Sequence, residues 1–185
     1  MTVTKFVSAM KKAGGIPRSE KWLDVNLKTP EENIDRIPEE VKKELDLILK
    51  TVQGKSFMII GGTAVVAYVP YRASFDVDIL TYPESGIVTE LEGIYKRYRD
   101  TTPGQVQTHF FTGQHTDKVH VMTVSEQTYD ITWSRNAREV AWHGYKFLIP
   151  HIDTLTEMKK LSGRAVDGED AEALKHWRRH WAGKR

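Results

Sequence analysis

The apolar positions of this chain change period several times, and each change marks an element. Thr29-Pro30-Glu31-Glu32 fits a capping box with proline at the first helical position and predicts a short helix. Pro38 opens a second helix, in which Val41, Leu45, Ile48, Leu49 and Val52 recur at helical spacing until Gly54 stops it. Residues 56–60 read as a short buried strand, Gly61-Gly62 ends it, and 63–69 read as a helix cut by Pro70. Residues 75–80 form the second strand. Residues 84–99 predict one amphipathic helix with Ile87, Leu91, Ile94, Tyr95 and Tyr98 along one side, broken by Pro103-Gly104. Strand runs follow at 106–112, 118–124 and 127–133, then a hairpin of 138–143 and 145–149 around Gly144. Two helices close the chain, one over about 151–162 and one starting near Asp167, where Asp167 and Asp170 are placed to cap it. The second buries Ala171, Leu174, Trp177 and Trp181. This order implies an α/β (α+β) protein: a small, mixed, mostly antiparallel twisted sheet backed by helices, with the C-terminal helical pair as one wall of a cleft.

The second strand carries the most telling chemistry, in Arg72-Ala-Ser74-Phe-Asp76-Val-Asp78-Ile-Leu. Side chains alternate along a strand, so Asp76 and Asp78 leave it on the same side. Two like charges held so close repel, and a divalent cation such as Mg²⁺, which prefers carboxylate oxygens, is the usual compensation. The preceding strand–Gly-Gly–helix passage lets backbone amides approach a phosphate.

Gly61-Gly62-Thr63-Ala64 followed by Arg72-x-Ser74-x-Asp76-x-Asp78 resembles the signature of the nucleotidyltransferase superfamily, with its DNA polymerase beta-like fold. The nearest likenesses are the nucleotidyltransferase toxins of toxin–antitoxin systems and the lincosamide- and aminoglycoside-modifying enzymes. Residues 152–174, with Leu155, Met158-Lys159, Gly163-Arg164, Asp167 and Asp170, resemble the helical segment after the catalytic sheet of toxin-like members, and the likeness spans roughly residues 38–181. Many members have Gly-Ser in the turn. Gly62 takes the serine's place here, so Thr63 or backbone amides would have to meet the phosphate.

The resemblance implies transfer of a nucleoside monophosphate from an NTP, ATP among them, to a hydroxyl acceptor with two Mg²⁺ (or Mn²⁺) ions. Asp76 and Asp78 would hold both metals. Asp130 is the expected third carboxylate and proton acceptor: in 128–133 it shares one side with two threonines while Tyr129, Ile131 and Trp133 share the other. Asp117, at a strand start, is its rival. Gly61, Gly62, Thr63, Arg72, Ser74 and Lys159 form the expected nucleotide-binding set. Arg72 serves either triphosphate charge or a structural ion pair, and Arg164 with Asp167 forms an alternative pair at the helix–helix turn. The first acceptor is an RNA or tRNA 3′ end, as in toxin-like members with a cognate antitoxin. The alternatives are a small hydroxylated antibiotic, or an inactive nucleotide- or partner-binding member. The corresponding division is an N-terminal extension over 1–37, a catalytic core over 38–150 and a helical segment over 151–185.

Composition narrows this picture only slightly. The 185 residues suit one domain, and 39% hydrophobic content with five Trp supports a core. A net charge of +2 forces no bulk attraction to nucleic acid, so a basic surface has to be local. The tail from Lys175 to Arg185 interleaves cations with Trp177 and Trp181, suited to RNA or to packing on the core. With no cysteine there is no disulfide or thiolate metal site. The first residues lack a signal-peptide core and no run reaches the roughly 18–20 residues of a membrane helix, so a cytoplasmic protein without membrane contact is expected. His109, His115 and His120 read as surface or core residues around strand ends.

Overall fold

A computed structural model describes residues 29–69, 72–102, 104–162 and 164–182, the last four without their side chains. The elements run α1 (Pro30–Ile34), α2 (Glu39–Thr51), β1 (Met58–Ile60), α3 (Gly61–Tyr68), β2 (Val77–Thr81), α4 (Ile87–Glu92), β3 (Lys96–Asp100), β4 (Gln107–Thr112), β5 (Val119–Thr123), β6 (Arg138–Trp142), β7 (Tyr145–Ile149), α5 (Ile152–Ser162) and α6 (Ala165–Ala182). The strands make one sheet in the order β3-β4-β5-β2-β1-β7-β6. β1–β2, β3–β4, β4–β5 and β6–β7 pair antiparallel, and β1–β7 and β2–β5 pair parallel. The mixed, mostly antiparallel sheet is the one the sequence predicts.

Strand alternation sorts the residues between two sides of this sheet. Val77, Ile79, Val119, Val121, Phe111, Phe147 and Ile149 point into the main core, which also takes Leu45 and Ile48 from α2, Val65 and Val66 from α3, and Leu155, Leu174 and Trp177 from the last two helices. Ile34 and Ile37 are buried there too, so the core begins before residue 38. On the other side Met58, Ile60, Leu80, Val124 and Tyr129 form a smaller cluster, with Met122, Trp133, Ala137, Leu148 and Met158 packed against it.

Local signals set several boundaries as expected. Thr29 and Glu32 form the reciprocal capping box of α1. Gly54 adopts a left-handed backbone after α2. His143 and Gly144 both have positive φ, the two-residue hairpin geometry whose twist matches its strands.

Two predicted elements are replaced. Residues 84–99 are not one helix: a 3-10 turn and the short α4 end at Gly93, and 96–100 become the edge strand β3. Tyr95 explains the break, because its ring is buried and its hydroxyl bonds to the buried Glu44 carboxylate. Residues 127–133 are not a strand. Ser125 caps a helical turn by accepting the Thr128 amide, and a π-helical turn spans Tyr129–Trp133. Tyr129 and Trp133, four apart, satisfy helical spacing as well as alternation, and Tyr129 docks on Tyr82 with ring centroids 5.5 Å apart. The features assigned to Pro70, Pro103, Gly163, the Trp181 side chain and the basic tail beyond Arg178 lie outside the described residues.

Candidate active site

The acid pair sits where β2 begins. Asp76 precedes the strand and Asp78 lies within it, both half-exposed, while Val77 between them is buried. Gly61, at the end of β1, is forced to be glycine twice over. Its φ is +65°, and a Cβ there would lie 1.9 Å from Asp78 Oδ2. Gly62 is constrained by space alone, since its Cβ would come 2.5 Å from Ser74 Oγ. The glycine pair therefore lets the first turn of α3 press directly against the acid strand.

Thr63 and Ser74 hold that strand in place. Thr63 Oγ1 lies 3.2 Å from the Asp76 carbonyl and 3.4 Å from Ser74 Oγ, and Ser74 Oγ lies 3.2 Å from the same carbonyl. Both residues are buried. Their hydroxyls thus hold the Asp76 backbone and are turned inward. The Asp76 carboxylate has no hydrogen-bond or ion-pair partner among the described residues.

Register decides what faces Asp78. On the parallel neighbour β5, His120 is its direct partner, and His120 Nδ1 lies 2.8 Å from Asp78 Oδ1. The side from which a third carboxylate was expected presents an imidazole instead. Asp130 is not brought to the pair. It is exposed on the π-helical turn beyond the opposite end of β2 and β5, where it lines a cavity of about 300 Å³ with Lys55, Ser56, Tyr129 and Lys146. Asp117 is exposed in the turn before β5. Among the described residues no three His, Cys, Asp or Glu side chains gather into a metal-holding cluster.

His120 carries a faint signal in the sequence. The run Val119-His120-Val121 puts a polar residue between two buried ones, as Val77-Asp78-Ile79 does. Only the pairing of β5 with β2 makes these two polar residues neighbours.

The corner between α5 and α6 supplies the cations. Lys159 is buried, with Nζ 2.7 Å from Asp167 Oδ1 and 2.9 Å from Asp170 Oδ2. Arg72 Nε lies 2.6 Å from Asp170 Oδ1, so the segment before β2 is tied to α6. Arg164 Nε and Ser162 Oγ both donate to Asp167 Oδ2. Asp167 and Asp170 are therefore buried counter-ions within the helix, not its cap. Burial alone would raise the Asp167 pKa, but hydrogen bonds from Arg164, Lys159 and Ser162 outweigh it and hold the carboxyl well below the usual range. Lys159 points inward, and its ammonium is met by these two carboxylates. Arg164 differs: its side chain is 70% exposed, and its pKa is raised first by the Asp167 hydrogen bond and further by the nearby charges of Asp167, Asp78 and Asp170. Of Lys159, Arg72 and Arg164, it is the one most open to solvent.

This arrangement offers hard oxygen donors at Asp76 and Asp78, which fit Mg²⁺ or Mn²⁺, beside the backbone amides of the glycine turn. The imidazole of His120 is a softer donor and is occupied with Asp78. No helix among the described residues is long and apolar enough to cross a membrane.

No protein-family profile matches the chain, and no curated protein matches its sequence. Solved structures do. One is a candidate nucleotidyltransferase from Thermotoga maritima, similar at a TM-score of 0.55 and 20% identity over 80% of this chain and 96% of that one. Another is a lincosamide antibiotic adenylyltransferase solved with lincomycin bound, at a TM-score of 0.53 and 17% identity over 75% of this chain and 97% of that one. Seven strands around an acid-bearing β2, closed by a C-terminal helical pair, are in this chain the nucleotidyltransferase fold.

Proposed function

We propose that this protein is a divalent-metal-dependent nucleotidyltransferase that moves a nucleoside monophosphate from an NTP to a hydroxyl group. The observation that supports this reading is Asp78 at the start of β2, its carboxylate so close to Gly61 that a Cβ there has no room, with the partly exposed Asp76 two residues before it.

In this reading the first amides of α3 and the Arg164 guanidinium receive the triphosphate. Asp76 and Asp78 would hold Mg²⁺, which when bound supplies charge neutralisation on the reacting phosphate oxygens. The carboxylate pair alone sets one such ion; the second expected ion lacks its third carboxylate among the described residues. The acceptor oxygen forms a bond to the α-phosphorus while the bond to pyrophosphate breaks in line. Its proton passes to the Asp76 carboxylate, which no described residue engages. His120 keeps Asp78 oriented throughout. Lys159 and Arg72, through Asp167 and Asp170, keep the α5–α6 corner over the site.

Incubation with each labelled NTP and Mg²⁺, offered total RNA in one arm and aminoglycosides or lincosamides in the other, tests the reading. Label in an acceptor, lost in Asp76→Ala with unchanged melting, supports it. No transfer to any acceptor, together with no NTP-induced rise in melting temperature, overturns it.

A further inference from the structure

We infer that the open side of β5, β4 and β3 is the track on which the acceptor lies, and that it fits the single-stranded 3′ end of a nucleic acid. The inference rests on the transfer reading for the position of the reacting group and on independent geometry for the track.

The track is a row in cross-strand register. Asp78 pairs with His120, His120 with Phe110, and Phe110 with Arg99, across β2, β5, β4 and β3. Each pair is in contact or hydrogen-bonded. His120 meets Asp78 at 2.8 Å, stands edge-on to Phe110 with centroids 5.0 Å apart, and the Arg99 guanidinium lies 5.3 Å from the Phe110 ring centroid. Three strand spacings of about 4.8 Å give the row a length of roughly 14 Å, more than one nucleotide needs.

A β-bulge widens its outer end. The β3–β4 register shifts between Arg97 and Arg99, so one extra residue, Tyr98, is inserted opposite Phe110. A bulge re-aims consecutive side chains toward the same side. Tyr98 accordingly reaches Phe110, with ring centroids 6.2 Å apart, while remaining 51% exposed. Phe110 is the half-buried prop, and Tyr98 and Arg99 present planar groups on which a base can stack.

Charge chooses the occupant. On this side β4 and β3 carry Thr108, Phe110, Thr112, Lys96, Tyr98 and Arg99, and no carboxylate. Register places Asp100 opposite His109 on the core side, and the two are 3.0 Å apart. A track of aromatic rings and cations with no acid suits phosphates and unstacked bases, whereas a cationic antibiotic would want carboxylates here. Placement agrees: the α3 turn meets Asp78 from the β1 side, so an in-line acceptor enters from the β5 side.

Fluorescence anisotropy with a short fluorescein-labelled single-stranded RNA, in EDTA and without NTP, tests the track apart from catalysis. Wild type and Asp78→Asn are expected to bind. Tyr98→Ser combined with Arg99→Ser, at exposed positions that leave the core intact, should weaken binding roughly tenfold or more. Arg99→Ser alone should lower the slope of log affinity against log salt by about 0.7. Absent binding by wild type, or equal binding by the double variant, overturns the inference. An NTP-induced rise in melting temperature is read in parallel on both proteins. If it persists while RNA binding fails, the track falls and the transfer reading stands. If it is absent while the double variant loses RNA binding, the transfer reading falls and the track stands.

Discussion

Gly61 and Asp78 touch so closely that a single methyl group between them would overlap the carboxylate, with the added Cβ only 1.9 Å from Oδ2. Gly61→Ala therefore has two effects. The positive φ costs about 1 kcal/mol for alanine, and the methyl pushes Asp78 aside. A displacement of about 1 Å at a reacting centre costs on the order of a hundredfold in rate. The expected outcome is a small drop in urea midpoint with a much larger loss of transfer activity, and equal losses in both would count against the site.

His120 fixes Asp78 from the other side. His120→Ala should lower kcat while barely moving the NTP concentration dependence, because the imidazole touches the carboxylate and not the α3 amides. Steady-state kinetics separate the two parameters. His120→Asn, which can still donate to Asp78, should recover part of the loss; equal activity in both variants would remove the orienting role.

Lys159 is the hub of a buried ionic network. Removing one partner of such a network leaves an uncompensated charge, at a cost of about 3–5 kcal/mol. Lys159→Met removes the cation that Asp167 and Asp170 share and leaves Asp167 with Arg164 and Asp170 with Arg72, so its urea denaturation midpoint should fall, with a cost toward the lower end of that range. Lys160→Met, one residue along and exposed, should be near neutral.

Acid should loosen the fold through two buried carboxylates. Burial would raise the pKa of Glu44, but hydrogen bonds from Tyr95 and the amides of His115 and Thr116 lower it, as the Arg164, Lys159 and Ser162 bonds lower that of Asp167. A depressed folded-state pKa gives stability that is present above the unfolded carboxyl value, about 4, and lost as pH falls toward the folded value. Stability should hold from pH 7 to about 5 and decline below. Glu44→Gln should cost about 3 kcal/mol at pH 7, since it breaks the hold on the 113–116 turn. Its stability should then fall less steeply in acid, as urea titrations across this range would reveal.

Local chemistry made much of the fold readable in advance. The capping box at Thr29, the stop at Gly54 and the Gly144 hairpin are set by residues within a few positions of each other. The partial exposure of Asp76 and Asp78 around a buried Val77 follows from alternation.

The remaining features depend on which strand lies beside which. Residues 96–100 fit a helical stripe as sequence and became β3 because β4 offered a partner and Glu44 a buried bond for Tyr95. Asp130 sits in a pattern that fits either period, and docking of Tyr129 on Tyr82 chose the helical one. By itself the sequence determined that this chain carries an acid pair behind a glycine turn. Tertiary structure alone decided that His120, and not Asp130, stands beside it. Alternation is fixed within a strand, whereas the neighbour across a sheet is set by the register of segments some forty residues apart.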